Sequence, residues 1–230
     1  MPNPNLELLK IAANLLRPIA DELVFVGGCT TGLLITEDAS ADVRPTKDVD
    51  AISEITSYAA YVNLSDRLKV LGFVPDTSEG APLCRWLHGD IKVDVMPLDE
   101  NVLGFSNRWY PAAIEFAERR EIAEGLSIRV VIAPYFFATK LEAFKGRGAG
   151  DYQASHDLED LITVVDGRPQ LLEDLRNASE DVRSYCAKEI ALLLETRKFL
   201  DAIPGFLLPD SASQARVTVV TERLNAIAAI

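Results

Sequence analysis

Apolar residues recur at helical spacing at Leu6, Leu9, Ile11, Ala13, Leu16 and Ile19, which predicts a first helix over residues 6–19 that Pro18 bends or ends. Residues 23–26, Leu-Val-Phe-Val, are too short and too apolar for a surface element and predict a buried strand. Gly27 and Gly28 follow as a turn, and residues 30–35 as a helix start. Residues 36–46 are polar and hold Pro45, so they predict a loop. A second strand is expected over 47–52, and a helix over 57–71 that Gly72 stops. Phe73 and Val74 begin another strand, and residues 77–81 are turn-like. Residues 83–88 and 91–96 predict a hairpin across Gly89 and Asp90. Residues 99–107 read as loop. Residues 109–121 fit more than one pattern, with a short helix the best match, and the alternating, β-branched residues 126–132 predict a strand.

From Pro134 onward the period is mostly helical. Helices are expected at 135–144 and at 156–165, the second capped by Ser155 and followed by Gly167 and Pro169. A basic loop at 146–150 joins them. Residues 170–200 read as helical with a break near Asn177, Pro204 and Pro209 mark a turn, and residues 212–229 form a last amphipathic helix. The fold class is therefore α+β: a small mixed sheet with flanking helices over 1–133, then a helical bundle over 134–230. The first helix of the bundle carries site candidates, so the two parts are expected to share one cleft.

Composition narrows the partners. With 230 residues and 48% hydrophobic content, the chain can bury one sizeable core. Its net charge of −12 repels nucleic acid on average, so any RNA must be met by a few local cations, for which Arg44, Lys145 and Arg147 are the candidates. Cys29, Cys84 and Cys186 are scattered without paired spacing, which disfavours a disulfide framework or a zinc site and suits a reducing cytoplasm. The N-terminus has no signal-peptide pattern, and no apolar run approaches the roughly 20 residues that span a bilayer. A soluble cytoplasmic protein without a membrane partner is the expectation.

The candidate chemistry centres on Asp48 and Asp50. Alternate residues of a strand share a face, so both carboxylates would project together while Val49 enters the core. Such a pair calls for a counter-charge, usually a divalent cation. Asp94, between Val93 and Val95, is the candidate third ligand; the plain alternative is a strand acid paired with Lys92. Gly27 and Gly28 sit after a strand and before a helix, where a backbone approaches phosphate closely, and Thr30 would add a hydroxyl. Arg44 would contact phosphate and Thr46 would support the carboxylates. Lys140 shares a helix face with Phe144 and would read a nucleotide phosphate, unless it snorkels to solvent. Asp157 and Asp160 lie on one helix face, either favouring the helix dipole or pairing with Lys140 and Arg147. His156 is a poor general-base candidate, and two histidines in the chain exclude a histidine-rich metal site.

Four motifs in order, Val26-Gly27-Gly28, Arg44 to Asp50, Lys140 to Arg147, and Asp157-Leu-Glu-Asp160, resemble the nucleotidyltransferases of the AbiEii/AbiGii toxin type, within the DNA polymerase β-like nucleotidyltransferase superfamily. The resemblance covers roughly residues 20–165. It implies a glycine turn for the triphosphate, magnesium (or manganese) held by Asp48, Asp50 and Asp94, and a helical domain behind. It also implies a nucleoside triphosphate donor, a tRNA or other RNA acceptor, and an antitoxin protein partner. The chain departs from the superfamily's Gly-Ser turn because Cys29 follows Gly28. The expected activity is transfer of a nucleoside monophosphate to an acceptor hydroxyl, with Asp94 assisting its deprotonation and Lys140 as charge partner of the triphosphate. The alternatives are a nucleotidyltransferase acting on a small cationic molecule such as an aminoglycoside, and a catalytically silent nucleotide-binding module.

Overall fold

The computed structural model describes residues 3–37, 43–147 and 150–230. Residues 38–42 of the predicted loop and 148–149 of the predicted basic loop lie outside them. The chain divides into two compact units, residues 1–32 with 45–132, and residues 33–44 with 133–230. The segment 33–44 groups with the helices, an association that the linear pattern does not contain.

The first unit is built on one mixed sheet. Its strands are β1 (Leu23–Val26), β2 (Val49–Ser53), β3 (Val74–Pro75), β4 (Arg85–His88), β5 (Ile91–Pro97), β6 (Glu118–Ala123) and β7 (Leu126–Val130). They lie in the order β3-β4-β5-β2-β1-β7-β6. β1 and β2 run antiparallel at the centre, and each has a parallel neighbour on its outer side, β7 and β5 respectively. All four residues of β1 are buried, as a central strand covered on both faces requires.

Helix α1 (Pro4–Leu15) begins at Asn3, whose side chain accepts from the amides of Asn5 and Leu6, with Pro4 in the first turn. It stops at Leu15 rather than continuing to residue 19. Pro18 has no N–H to donate and disfavours a helical Arg17, so the chain turns tighter into a 3-10 stretch at Arg17–Glu22. The expected helix after the glycine turn is only α2 (Thr31–Leu34), preceded by a 3-10 turn at Gly28–Thr30. Helix α3 (Tyr58–Val70) is capped by Ser57, and two short helices follow, α4 (Glu100–Leu103) in the predicted 99–107 loop and α5 (Tyr110–Glu115).

Residues 109–121 hold more than the short helix. Glu118–Ala123 is the edge strand β6, with Glu118, Arg119 and Glu121 exposed. Only Ile122 of this edge strand is buried, so it has almost no apolar alternation to display, and its charges blunt edge-to-edge pairing. The second strand also begins later than expected: its ladder starts at Val49, so Asp48 lies just before it.

The second unit contains α6 (Ala133–Arg147), α7 (His156–Gly167), α8 (Leu171–Asn177), α9 (Glu180–Leu194), α10 (Arg197–Ala202) and α11 (Ser211–Ala228). Helix α6 runs through the start of the predicted basic loop, placing Lys145 and Arg147 in its last turn, where cations meet the negative end of the helix dipole. Among the described residues no helix is long and apolar enough to cross a membrane.

Charge explains why residues 33–44 join the helices. The amides of Thr36 and Glu37 both donate to the Gly167 carbonyl at the end of α7. Arg216 of α11 bridges Asp166, which is fully buried, at 2.6 Å and Glu37 at 3.1 Å. Arg223 donates to the carbonyls of Val165 and Asp166, satisfying groups that the helix end leaves free. Arg216→Ala would leave the Asp166 carboxylate buried without its cation. It should cost about 3 kcal/mol, the low end for a broken buried pair because Arg216 is itself partly exposed; urea unfolding of the variant measures it.

Candidate active site

The sheet registers pair Val26 with Asp50, Asp50 with Asp94, and Asp94 with Arg85. Opposite residues of paired strands point to the same face, so these four form one row across β1, β2, β5 and β4. The neighbouring row, Val49, Val93 and Trp86, points the other way and is buried at 0–2% exposure. Apolar side chains on one face thus fix the height and spacing of the acids on the other.

Arg85 is the member that the sequence reading missed. Its Nε donates to Asp94 Oδ1 at 2.8 Å and its Nη2 to Asp94 Oδ2 at 2.7 Å, a bidentate fork on one carboxylate. The same Nη2 reaches Asp48 Oδ2 at 2.6 Å. The partner of Asp94 is therefore Arg85 on the adjacent strand, not Lys92. Hydrogen bonding to Asp94 first, opposed by burial and aided by the charges of Asp94 and Asp48, pushes the Arg85 pKa further up, so the guanidinium is permanently charged. The signal lay in the hairpin itself: a two-residue turn at Gly89 and Asp90 sets residue 85 opposite residue 94.

Gly27 has φ +72° and ψ −167°, a region essentially confined to glycine. A Cβ built there would stand 1.9 Å from Asp50 Oδ2. The glycine is what admits the Asp50 carboxylate against the turn. Gly28 is buried behind it. The Thr30 hydroxyl donates to the Gly27 carbonyl at 2.9 Å, so its one proton braces the turn and is not offered to phosphate. Cys29 points its thiol at the Val26 carbonyl. With α2 only four residues long, dipole support for a phosphate is small. Thr46 serves the backbone: its amide donates to Asn5 Oδ1 at 2.8 Å and its hydroxyl to the Asp48 carbonyl at 3.3 Å, positioning Asp48 without touching its carboxylate.

Cys84, next to Arg85, is no nucleophile. Burial first, then the negative charges of Asp94 and Asp50, pushes its thiol up to about 12.

The other predicted residues assemble in the second unit. Lys140 is buried, and its ammonium donates to Asp160 Oδ2 at 2.6 Å and Asp157 Oδ1 at 3.2 Å. Arg147 forks onto both oxygens of Asp157 at 2.9 and 3.0 Å. Arg44 reaches Glu159 at 3.1 Å and Asp160 at 3.6 Å. Lys145 pairs with Glu189 at 2.7 Å. Each cation expected to face phosphate or RNA thus has an acid of its own unit beside it. Burial alone would raise the Asp157 carboxyl, but the Arg147 hydrogen bonds and the Lys140 and Arg147 charges outweigh it and hold the pKa below its ordinary 3.8.

As placed, the acids do not fit a ready-made metal site. Among the described residues no group of three or more Asp, Glu, His or Cys side chains is arranged to hold an ion. Both oxygens of Asp94 and one of Asp48 already accept from Arg85.

Two outcomes test this geometry. Gly27→Ala should force the Asp50 side chain to rotate away and cost about 1–3 kcal/mol through the backbone alone; thermal unfolding reads the loss. Lys140→Met should cost about 3 kcal/mol, the low end for a broken buried pair, since it removes the buried cation shared by two carboxylates while Arg147 stays on Asp157 and Arg44 near Asp160. The Asp157 contribution has a defined pH window. A lowered folded-state pKa means the unfolded chain binds the proton more readily, so the stabilisation is complete above the ordinary 3.8 and fades as pH falls through the lower folded value. Acid titration of stability in Lys140→Met should show a smaller loss below that point than in the wild type.

No family model matches the chain, and no curated protein matches it in sequence. In structure it is similar to an antigenic nucleotidyltransferase-like protein from Paracoccidioides brasiliensis, with a TM-score of 0.50 and 17% identity over 92% of this chain and 97% of that one. It is also similar to a candidate nucleotidyltransferase from H. pylori, with a TM-score of 0.50 and 13% identity over 100% of this chain and 95% of that one. At such identities the likeness speaks for the fold alone: an α+β chain with a nucleotidyltransferase-like mixed sheet followed by helices.

Proposed function

We propose that the chain is a nucleotidyltransferase that moves a nucleoside monophosphate from a nucleoside triphosphate to an acceptor hydroxyl. The observation that supports this most is the row Asp50–Asp94 set against the positive-φ turn at Gly27, within a sheet of nucleotidyltransferase-like fold. In this reading the triphosphate meets the backbone of Gly27 and Gly28. The carboxylates orient the acceptor hydroxyl and take its proton as it attacks the α-phosphorus, and pyrophosphate leaves. Arg85 keeps a positive charge in the same row, where negative charge develops. Positioning and charge compensation in a half-buried setting supply most of the rate in such a site.

The motif order shared with AbiEii/AbiGii-type toxins makes tRNA the first acceptor to supply. The net charge of −12 makes a cationic aminoglycoside the second, since an acidic surface attracts it and repels RNA. The silent-module reading has one observation in its favour, the engagement of Asp48 and Asp94 by Arg85.

Each labelled nucleoside triphosphate is incubated with divalent cation and either acceptor, and pyrophosphate and labelled product are followed. The expected result is a labelled product whose rate falls at least about 100-fold in Asp50→Asn, the scale of a lost proton acceptor. Nucleotide binding without pyrophosphate release from any combination would reject transfer in favour of the silent module.

A further inference from the structure

Two carboxylates on one sheet face, with that of Asp48 just before the strand, need a cation, and the fold leads one to expect a divalent ion. The structure instead shows a guanidinium there. Arg85 forks onto Asp94 and bridges to Asp48 with donor–acceptor distances of 2.6–2.8 Å, and Asp94 is 6% exposed. These are the short distances of charge-assisted bonds.

The arginine is built in rather than draped over. Its amide donates to the Pro82 carbonyl, its carbonyl accepts from the Asp76 amide, and Trp86, 2% exposed, anchors the strand on the opposite face. Its position in the register places it beside Asp94 whatever its rotamer, because Asp94 is its direct cross-strand neighbour. The carboxylate oxygens that an ion would need are the oxygens it occupies. A guanidinium and a divalent ion both take charge-dense oxygens, and two positive groups in one small space repel.

We propose that Arg85 is the resident counter-ion of the acid row, and that a divalent cation can bind Asp48 and Asp94 only in competition with it. This rests on the acid row being the site of the reading above, but not on transfer taking place. The consequence is a threshold: bare metal ions bind weakly to the resting protein, because each must first displace a bidentate, permanently charged partner.

The test uses the full chain and Mn2+ alone, with no nucleotide, counting bound ion from the electron paramagnetic resonance signal of free Mn2+. Arg85→Gln should bind Mn2+ at least ten-fold more tightly than the wild type, and adding Asp94→Asn should abolish the gain. Without metal Arg85→Gln should melt below the wild type, through repulsion among the acids, and Mn2+ should restore its melting temperature while scarcely moving that of the wild type. Should Arg85→Gln fail to fold, Arg85→Lys serves, since a single ammonium cannot span both carboxylates as the fork does; its Mn2+ affinity should lie above the wild type. A folded Arg85→Gln or Arg85→Lys that binds Mn2+ no better than the wild type overturns the proposal, as does a gain that survives Asp94→Asn. Because no substrate is present, absence of transfer in the assay above leaves this result standing, and the converse holds too.

Discussion

Carboxylates on adjacent strands cannot move apart, because the hydrogen-bonded spacing of the sheet sets their separation. Asp50 and Asp94 are direct neighbours in this sense, and Asp48 lies just before the strand of Asp50. Their repulsion is relieved by a side chain from the next strand along. The sheet therefore contains both the problem and its solution: the register that brings two acids together brings Arg85 with them. Gly27 completes the arrangement by giving up its Cβ to the Asp50 carboxylate. The chemistry open to this face follows from how firmly that one guanidinium is held.

The same rule governs the second unit with a different result. There Lys140, Arg147 and Arg44 meet Asp157, Glu159 and Asp160 in a network whose central members are almost wholly buried. An enclosed network of matched charges costs desolvation and repays it through short, numerous hydrogen bonds. It holds the first turn of one helix against another. The row in the first unit is more open and carries more acid than base. A reading that treats every lysine near a motif as a phosphate ligand misses this difference, because burial and pairing are properties of the fold.

The legible parts of the fold were those with a strong period or strong punctuation. The central strand Leu23–Val26, the hairpin about Gly89 and Asp90, and the capped helix after Ser155 all sit where pattern places them. The edge strand Glu118–Ala123 is hidden because its first four residues are all charged and only Ile122 is buried, which removes alternation. Asp48 reads as a strand residue because a spacing of two looks the same whether or not the ladder has begun. The acids of the candidate site were legible as residues but not as a set. Their shared row needs the strand order β4-β5-β2-β1, which only the folded sheet supplies. Arg85 is legible too, since the two-residue hairpin turn alone sets it opposite Asp94.

The grouping of residues 33–44 with the helices has a consequence for synthesis. The chain makes β1, leaves the first unit, and returns to it at Pro45 to make the strand of Asp50. The anchors of that excursion are late: the Gly167 carbonyl, then Arg216, then Arg223. Domains emerging from the ribosome fold N-terminal first when their contacts are local. Here Thr36 and Glu37, which lie between the glycine turn and the acids, take their partners from far later in the chain. The glycine turn and the acid-bearing strand are thus linked past Thr36 and Glu37, whose partners Gly167, Arg216 and Arg223 are all synthesised after every strand of the sheet.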